Sequence, residues 1–221
     1  MAKPLQLNGH EARLLGVLFE KERTVPDQYP LSLHAMTAGA NQKSNRDPMT
    51  DWSEAEVLVG VTGLMHKGLA GKVFPTGSRV EKFRHNARET LGLDDPKLAI
   101  LAELMMRGPQ TVGELRTRAS RMAEFHSLEA VQAELATLTG TGFVRRLDPA
   151  PGSRAERWTQ LLCPDSHPQE AASAGTAVAS RTASTPAAGT SLAASSVSER
   201  VTELEARVAA LEQALKDLGA L

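Results

Sequence analysis

The sequence predicts a mainly α-helical chain with small β wings, an α+β arrangement in which one module is used twice, and three observations predict it. Amphipathic stretches opened by capping residues recur along the first two thirds of the chain. Each set of three such stretches ends in a strand–turn–strand segment. The second set repeats the first at a fixed offset. An aromatic content of 4% suits small cores of Leu, Val and Met.

Asn8 to Glu22 reads as the first helix, with Asn8 and Glu11 at capping-box spacing. Leu14, Leu15, Leu18 and Phe19 form its apolar stripe. Pro26 and Pro30 stop it in a loop. Leu31 to about Ala40 is a second helix with Ser32 as a cap. Asn41 to Asp51 is a polar connection. Ser53 and Glu56 then open a third helix, buried through Val57, Val61, Leu64 and Met65 and stopped at Gly68. Leu69 to Phe74 and Arg79 to His85 are strands flanking a turn.

The order then returns. Pro96 stands in the first turn of a helix running to Arg107, with Asp94 and Asp95 ahead of it. Thr111 and Glu114 open a short helix, and Ser127 caps a third with Leu128, Val131, Leu135 and Leu138 as its stripe. Gly142 to Leu147 and Arg154 to Leu162 are the closing strands. The match is positional: Ser53 falls on Ser127, Val57 on Val131, Val61 on Leu135, Leu64 on Leu138 and Gly68 on Gly142. One residue later, Arg79–Phe83 falls on Arg154–Trp158. Three helices followed by a ribbon is the winged-helix order. Residues 1–90 and 91–164 are therefore predicted to be two tandem winged-helix domains.

Residues 165–195, rich in Ala, Ser, Thr, Gly and Pro, lack the apolar bulk to offset ordering entropy and read as a disordered linker. Such a linker spans about 30 Å. Residues 196–219 follow as a helix in which Val201, Leu204, Val208, Leu211, Leu215 and Leu218 alternate at spacings of three and four, a coiled-coil heptad. In a parallel homodimer Arg200 would face Glu205 of the second copy and Arg207 would face Glu212. The alternative is one amphipathic helix packed on its own core. The charge pattern and the linker favour the dimer.

A net charge of −1 gives no global attraction to a polyanion, so nucleic-acid binding would need a local patch. The single Cys163 excludes an intramolecular disulfide and suits a cytoplasmic location. No signal peptide and no membrane-length apolar run is visible.

The strings Glu20–Ser32, Asn41–Pro48, Arg107–Arg118 and Pro151–Arg154 resemble the motifs of the YceH-like family of bacterial proteins, and the resemblance covers about residues 5–162. It implies a tandem winged-helix fold and no function, because that family's members are described as of unknown function. Ala40 stands where the family commonly has Cys, which excludes thiol chemistry there.

Neither a catalytic constellation nor a cofactor motif is recognisable, and an enzyme is not expected. Gly63–Gly68 has phosphate-loop glycine spacing, but Leu69 stands where Lys is required. The six histidines show no metal-ligand pairing. Two basic features are candidates for double-stranded DNA. One is the loop carrying Lys43, Asn45 and Arg46, which reads equally as a hydrogen-bonded strut between helices two and three. The other is the pair of wings, with Lys82, Arg84 and Arg157 opposite the core-facing Phe83 and Trp158, and with Arg79 and Arg154 nearer the turns. Against base reading, the third helices open with Glu54 and Glu56 and with Glu129 and Glu134. The leading expectation is a DNA-associated regulator contacting the phosphate backbone. A protein–protein interaction adaptor is the alternative.

Overall fold

The computed structural model describes residues 5–74, 80–148 and 155–167. The linker at 165–195 thus lies almost wholly outside the described residues, and the 196–219 helix lies entirely outside them.

Helix α1 (Gly9–Thr24) starts where the sequence places it: Asn8 Oδ1 accepts from the Glu11 amide at 2.9 Å, and Glu11 accepts from the Asn8 amide at 2.8 Å. Leu31–Ser32 is a two-residue strand, β1, and not the start of the second helix. Ser32 caps the shorter helix α2 (Leu33–Ala40). Pairing with the later ribbon captures the two residues, a tertiary event that local helix signals cannot announce. Helix α3 (Glu54–His66) opens on a complete Ser53/Glu56 capping box. Strands β2 (Ala70–Val73) and β3 (Lys82–His85) pair antiparallel, and β1 joins them with Leu31 opposite Phe83, giving the order β1-β3-β2.

A short helix that the sequence reading lacked, α4 (Ala87–Leu91), ends at Gly92 in the left-handed region. Then come α5 (Asp95–Arg107), capped by Asp94, α6 (Val112–Ala119), with its Thr111/Glu114 box, and α7 (Leu128–Gly140), capped by Ser127. Strands β4 (Val144–Leu147) and β5 (Arg157–Gln160) close the series, with Gln110 bridging to Trp158 where β1 meets β3 in the first half.

The helix–helix–helix–ribbon order is therefore present twice, and the repeat is physical. Gly68 and Gly142 both adopt positive φ, at 72° and 78°. Each is followed by an amide returning to the third helix: Leu69 to the Leu64 carbonyl and Phe143 to the Leu138 carbonyl, both at 2.9 Å. Val57, Val61 and Leu64, like Val131, Leu135 and Leu138, are fully buried.

The two halves are packed into one compact body with a continuous apolar core. Helices α1 and α5 lie against each other at its centre, close enough that a Cβ on Gly16 would stand 2.8 Å from Met106 Cγ and 3.3 Å from the Ala102 carbonyl. A backbone amide from the start of the chain, Leu7, donates to the Leu162 carbonyl at 2.7 Å. The boundary expected at residue 90 separates two copies of a topology that share an interior.

Candidate functional site

The loop after α2 is held inward. Asn41 donates to the Trp52 carbonyl at 2.7 Å and accepts from the Trp52 amide at 2.8 Å and the Thr50 hydroxyl at 3.1 Å. It is the strut between α2 and α3 that one reading of the loop expected. Asn45 takes a left-handed φ of 61°, and its Oδ1 accepts from Arg107. Arg46 has no side-chain exposure. It donates to the Gly39 carbonyl at 3.0 Å and pairs with Glu20. Arg46 therefore cannot reach a phosphate, and Asn45 is turned towards α5. Of the three loop candidates only Lys43 is solvent-exposed.

Beneath the loop lies an ionic junction that the sequence reading missed. Glu20 on α1 pairs with Arg46 and Arg121. Glu103 on α5, with no side-chain exposure, pairs with Arg121 at 2.5 Å and Arg107 at 3.3 Å. Burial pushes the Glu20 carboxyl up, but the bond from Arg46 and the charges of Arg46, Arg121 and Lys21 outweigh it and hold Glu20 below the usual carboxylate range. Burial lowers Arg107, and Arg118, Arg121 and Arg46 lower it further against the pull of Glu103. Arg13 is likewise pushed down to about 10 by burial and by Arg46, and its guanidinium donates to the Pro48 carbonyl at 2.7 Å. These cations join α1, the 41–53 loop, α5 and the segment after α6. A signal was present in the sequence: Glu103 is the one charge between Leu98 and Met106.

The ribbons differ. On β3, Phe83 and His85 face the core, while Lys82 is half-buried and Arg84 is exposed on the opposite face. That agrees with strand alternation. On β5 the pattern fails: Trp158 is only half-buried, and Thr159 and Gln160 are both buried. The chain after β5 folds over the strand, and Gln160 holds Cys163 through its amide at 2.7 Å and its carbonyl. Arg157 is half-buried with its Nε shielded. Arg145 and Arg146 on β4 are exposed, and Arg146 pairs with Glu156 at 3.0 Å. Arg79 and Arg154 lie outside the described residues, as do Val201, Leu204, Val208, Leu211, Leu215 and Leu218.

The outward face of α3 is the second feature that the sequence reading missed. Val59 is 74% exposed and Leu58 41%, with Val80 57% exposed on the adjoining ribbon. An apolar run, Val57-Leu58-Val59, in a helix with only one buried side was the available signal. A cleft of about 380 Å³ opens beside this face, between the starts of α2, α3 and β3, and is lined by Leu33, Leu58, Val80 and Phe83 among others. From Asp47 to His66 there are four carboxylates and no Lys or Arg.

On the inner side of the first ribbon, buried His85 faces Glu22. Its Nδ1 accepts from the Ala87 amide at 3.2 Å, which leaves Nε2 as the donor to Glu22 at 3.1 Å. Glu22 also receives Arg88 at 2.5 Å. Burial lowers the His85 pKa more than Glu22 raises it.

Among the described residues, no group of three or more His, Cys, Asp or Glu could hold a metal ion, and no helix is long and apolar enough to cross a membrane. Fold and surface together define a mainly helical protein with small β ribbons, whose buried charges tie two halves together and whose third helix presents apolar residues outward. The chain belongs to the family described as protein of unknown function, DUF480, whose profile matches residues 7–153. The YceH-like resemblance is consistent with that membership. It is 47% identical over 173 residues to a UPF0502 protein of Burkholderia pseudomallei strain 668, covering 77% of this chain and 73% of that one. A UPF0502 protein of Geotalea daltonii is 49% identical over 168 residues, 75% of this chain and 76% of its own length. A third, from Shewanella loihica, is 39% identical over 220 residues, 97% and 98% of the two chains, so this similarity continues beyond residue 165, where the recognised motifs stop.

Proposed function

We propose that this protein is a non-enzymatic cytoplasmic adaptor that docks a protein partner on the outward face of α3. One observation carries the reading: the helix that would enter a DNA groove in a winged-helix protein exposes Leu58 and Val59 beside carboxylates, with no cation on it. Exposed aliphatic side chains gain by burial against a partner, about 25 cal/mol per Å² of apolar surface, whereas carboxylates facing phosphates are repelled. The inward roles of Arg46 and Asn45 remove two of the contacts that a DNA reading relied on. The heptad residues from Val201 to Leu218 are proposed to pair two copies in parallel and add avidity.

The test is co-purification at low and high salt, with wild type and the Val59→Glu variant. The expected result is one stoichiometric protein, identified by mass spectrometry, that survives high salt and is lost with Val59→Glu. Retention of that protein by the variant overturns the reading. The mass in solution of the full chain against a form ending at Pro164 tests the pairing, which fails if the two forms have the same oligomeric state.

A second reading, backbone contact with duplex DNA, is favoured by Lys82 and Arg84 sharing the outward face of β3. It expects duplex affinity to fall linearly in log–log form with salt, and to weaken in Lys82→Ala/Arg84→Ala/Arg157→Ala. Absence of binding to any duplex at low salt removes it.

A further inference from the structure

We propose that the occupant of the α3 face is a basic amphipathic segment of a partner protein, placing an apolar anchor in the cleft and Lys or Arg residues against its acidic edge. The proposal rests on the adaptor reading and specifies the chemistry of the partner. The cleft is apolar where Leu33, Leu58 and Phe83 line it. Its volume, about 380 Å³, is at the small end of ligand pockets and suits one or two side chains. The edge is acidic: Glu54 and Glu81 line the cleft, and Asp51 and Glu56 are exposed at the start of α3. Two groups partly answer these charges. Lys72 pairs with Glu81 at 2.7 Å, and His34, 88% exposed, meets Glu54 at 3.1 Å. Neither touches Asp51 or Glu56, so negative charge remains beside the apolar surface.

The second half supplies an internal control. The repeat carries Leu58 onto Gln132 and Val59 onto Ala133. At these two positions the fold is satisfied without branched aliphatics, so Leu58 and Val59 are not required there by the scaffold, although Leu128 at the start of α7, expected in the buried stripe, is itself 43% exposed. A neutral apolar partner would use this face but gain nothing from the carboxylates. A second copy meeting it face to face would bring like charges together, which costs free energy in a desolvating interface. A basic amphipathic segment satisfies both features at once, with the anchor contributing affinity and the charges contributing association rate and selectivity.

The experiment uses the full chain and three fluorescein-labelled amphipathic peptides with the same Leu-containing apolar face and Lys, Gln or Glu at the flanking positions. Binding is read by fluorescence anisotropy across a salt series. The Lys peptide is expected to bind most tightly and to weaken with salt. Its affinity should fall about tenfold in Leu58→Ser/Val59→Ser and in Asp51→Asn/Glu54→Gln. Both variants change exposed residues, and unchanged thermal unfolding verifies their folding. Equal binding of the three peptides, with loss in Leu58→Ser/Val59→Ser, overturns the basic-partner inference and leaves the adaptor reading standing. Lys-peptide binding that ignores Leu58→Ser/Val59→Ser is a surface charge effect and overturns the inference. Retention of the co-purifying protein by the Leu58→Ser/Val59→Ser variant overturns the adaptor reading together with it.

Discussion

The two third helices, α3 and α7, have the same cap position, the same buried triad and the same stop glycine, yet they meet their first helices differently. Helix α3 approaches α1 through Gly60 and Gly63: a Cβ on Gly60 would stand 2.7 Å from Leu14 Cδ1 and 3.0 Å from His10 Cβ. The repeat carries these glycines onto Glu134 and Thr137. There the facing contact is a salt bridge, Lys97 to Glu134 at 2.9 Å. One half is closed by backbone proximity and the other by a charged pair. The lesson is that a copied topology keeps what helix ends and cores require, while side chains elsewhere are free to take other roles. Leu58 and Val59 against Gln132 and Ala133 is the same lesson on the outer surface.

Glu20→Ala should have the largest effect on stability. It leaves Arg46 buried without its carboxylate, a loss of about 3–5 kcal/mol, read by chemical denaturation as a single transition. An early, separate unfolding of one half would show the junction to be less central than the shared core implies. Acid tests the same design. Glu20 and Glu22 are held below the usual carboxylate range, Glu22 by Arg88 and His85 against the opposing effect of burial. Their stabilisation is therefore present above the unfolded carboxylate pKa and lost as pH falls through the lower folded values. His85 is also lowered, by burial, so its contribution is present above the ordinary value of 6.5 and is lost as pH falls below it. Denaturation midpoints should decline first below pH 6.5 and again in the carboxylate range. His85→Gln puts the second half's residue, Gln160, into the first half. It should abolish the first decline, and persistence of that decline would assign it elsewhere.

Gly60→Ala should cost about 1–3 kcal/mol by overpacking α3 against α1. Glu134→Ala, at the repeat position, should cost under about 1 kcal/mol. Equal effects would deny the difference between the two contacts. Ser53→Ala removes one member of a complete capping box and should cost about 1 kcal/mol, more than Ser127→Ala, whose hydroxyl accepts from the Ala130 amide at 3.2 Å and bonds Glu129 without completing a box. Arg84→Ala changes an exposed ribbon residue and should stay within about 0.5 kcal/mol, so any large effect on binding would be functional.

Much of the fold was legible in advance because its signals are local. Caps at Asn8, Ser32, Ser53, Thr111 and Ser127 lie beside the amides they satisfy, and Gly68 and Gly142 lie where left-handed backbone is needed. Strand β1 and helix α4 were not legible. Leu31–Ser32 is a strand only because Phe83 and Lys82 are beside it. The candidate site was legible in part. Alternation along β3 correctly placed Lys82 and Arg84, but Arg46 looked like a loop cation and became a buried partner of Glu20.

By itself the sequence determined where helices begin and stop, that one topology occurs twice, and which stripes turn inward. These follow from hydrogen bonds and periodicities spanning a few residues. Only the tertiary structure decided that α1 and α5 share a single core, that Arg46 of the 41–46 loop is used internally, and that Leu58 and Val59 remain uncovered. Each depends on which distant segment arrives against which face, and desolvation then decides whether the same arginine is a surface cation or a buried tie.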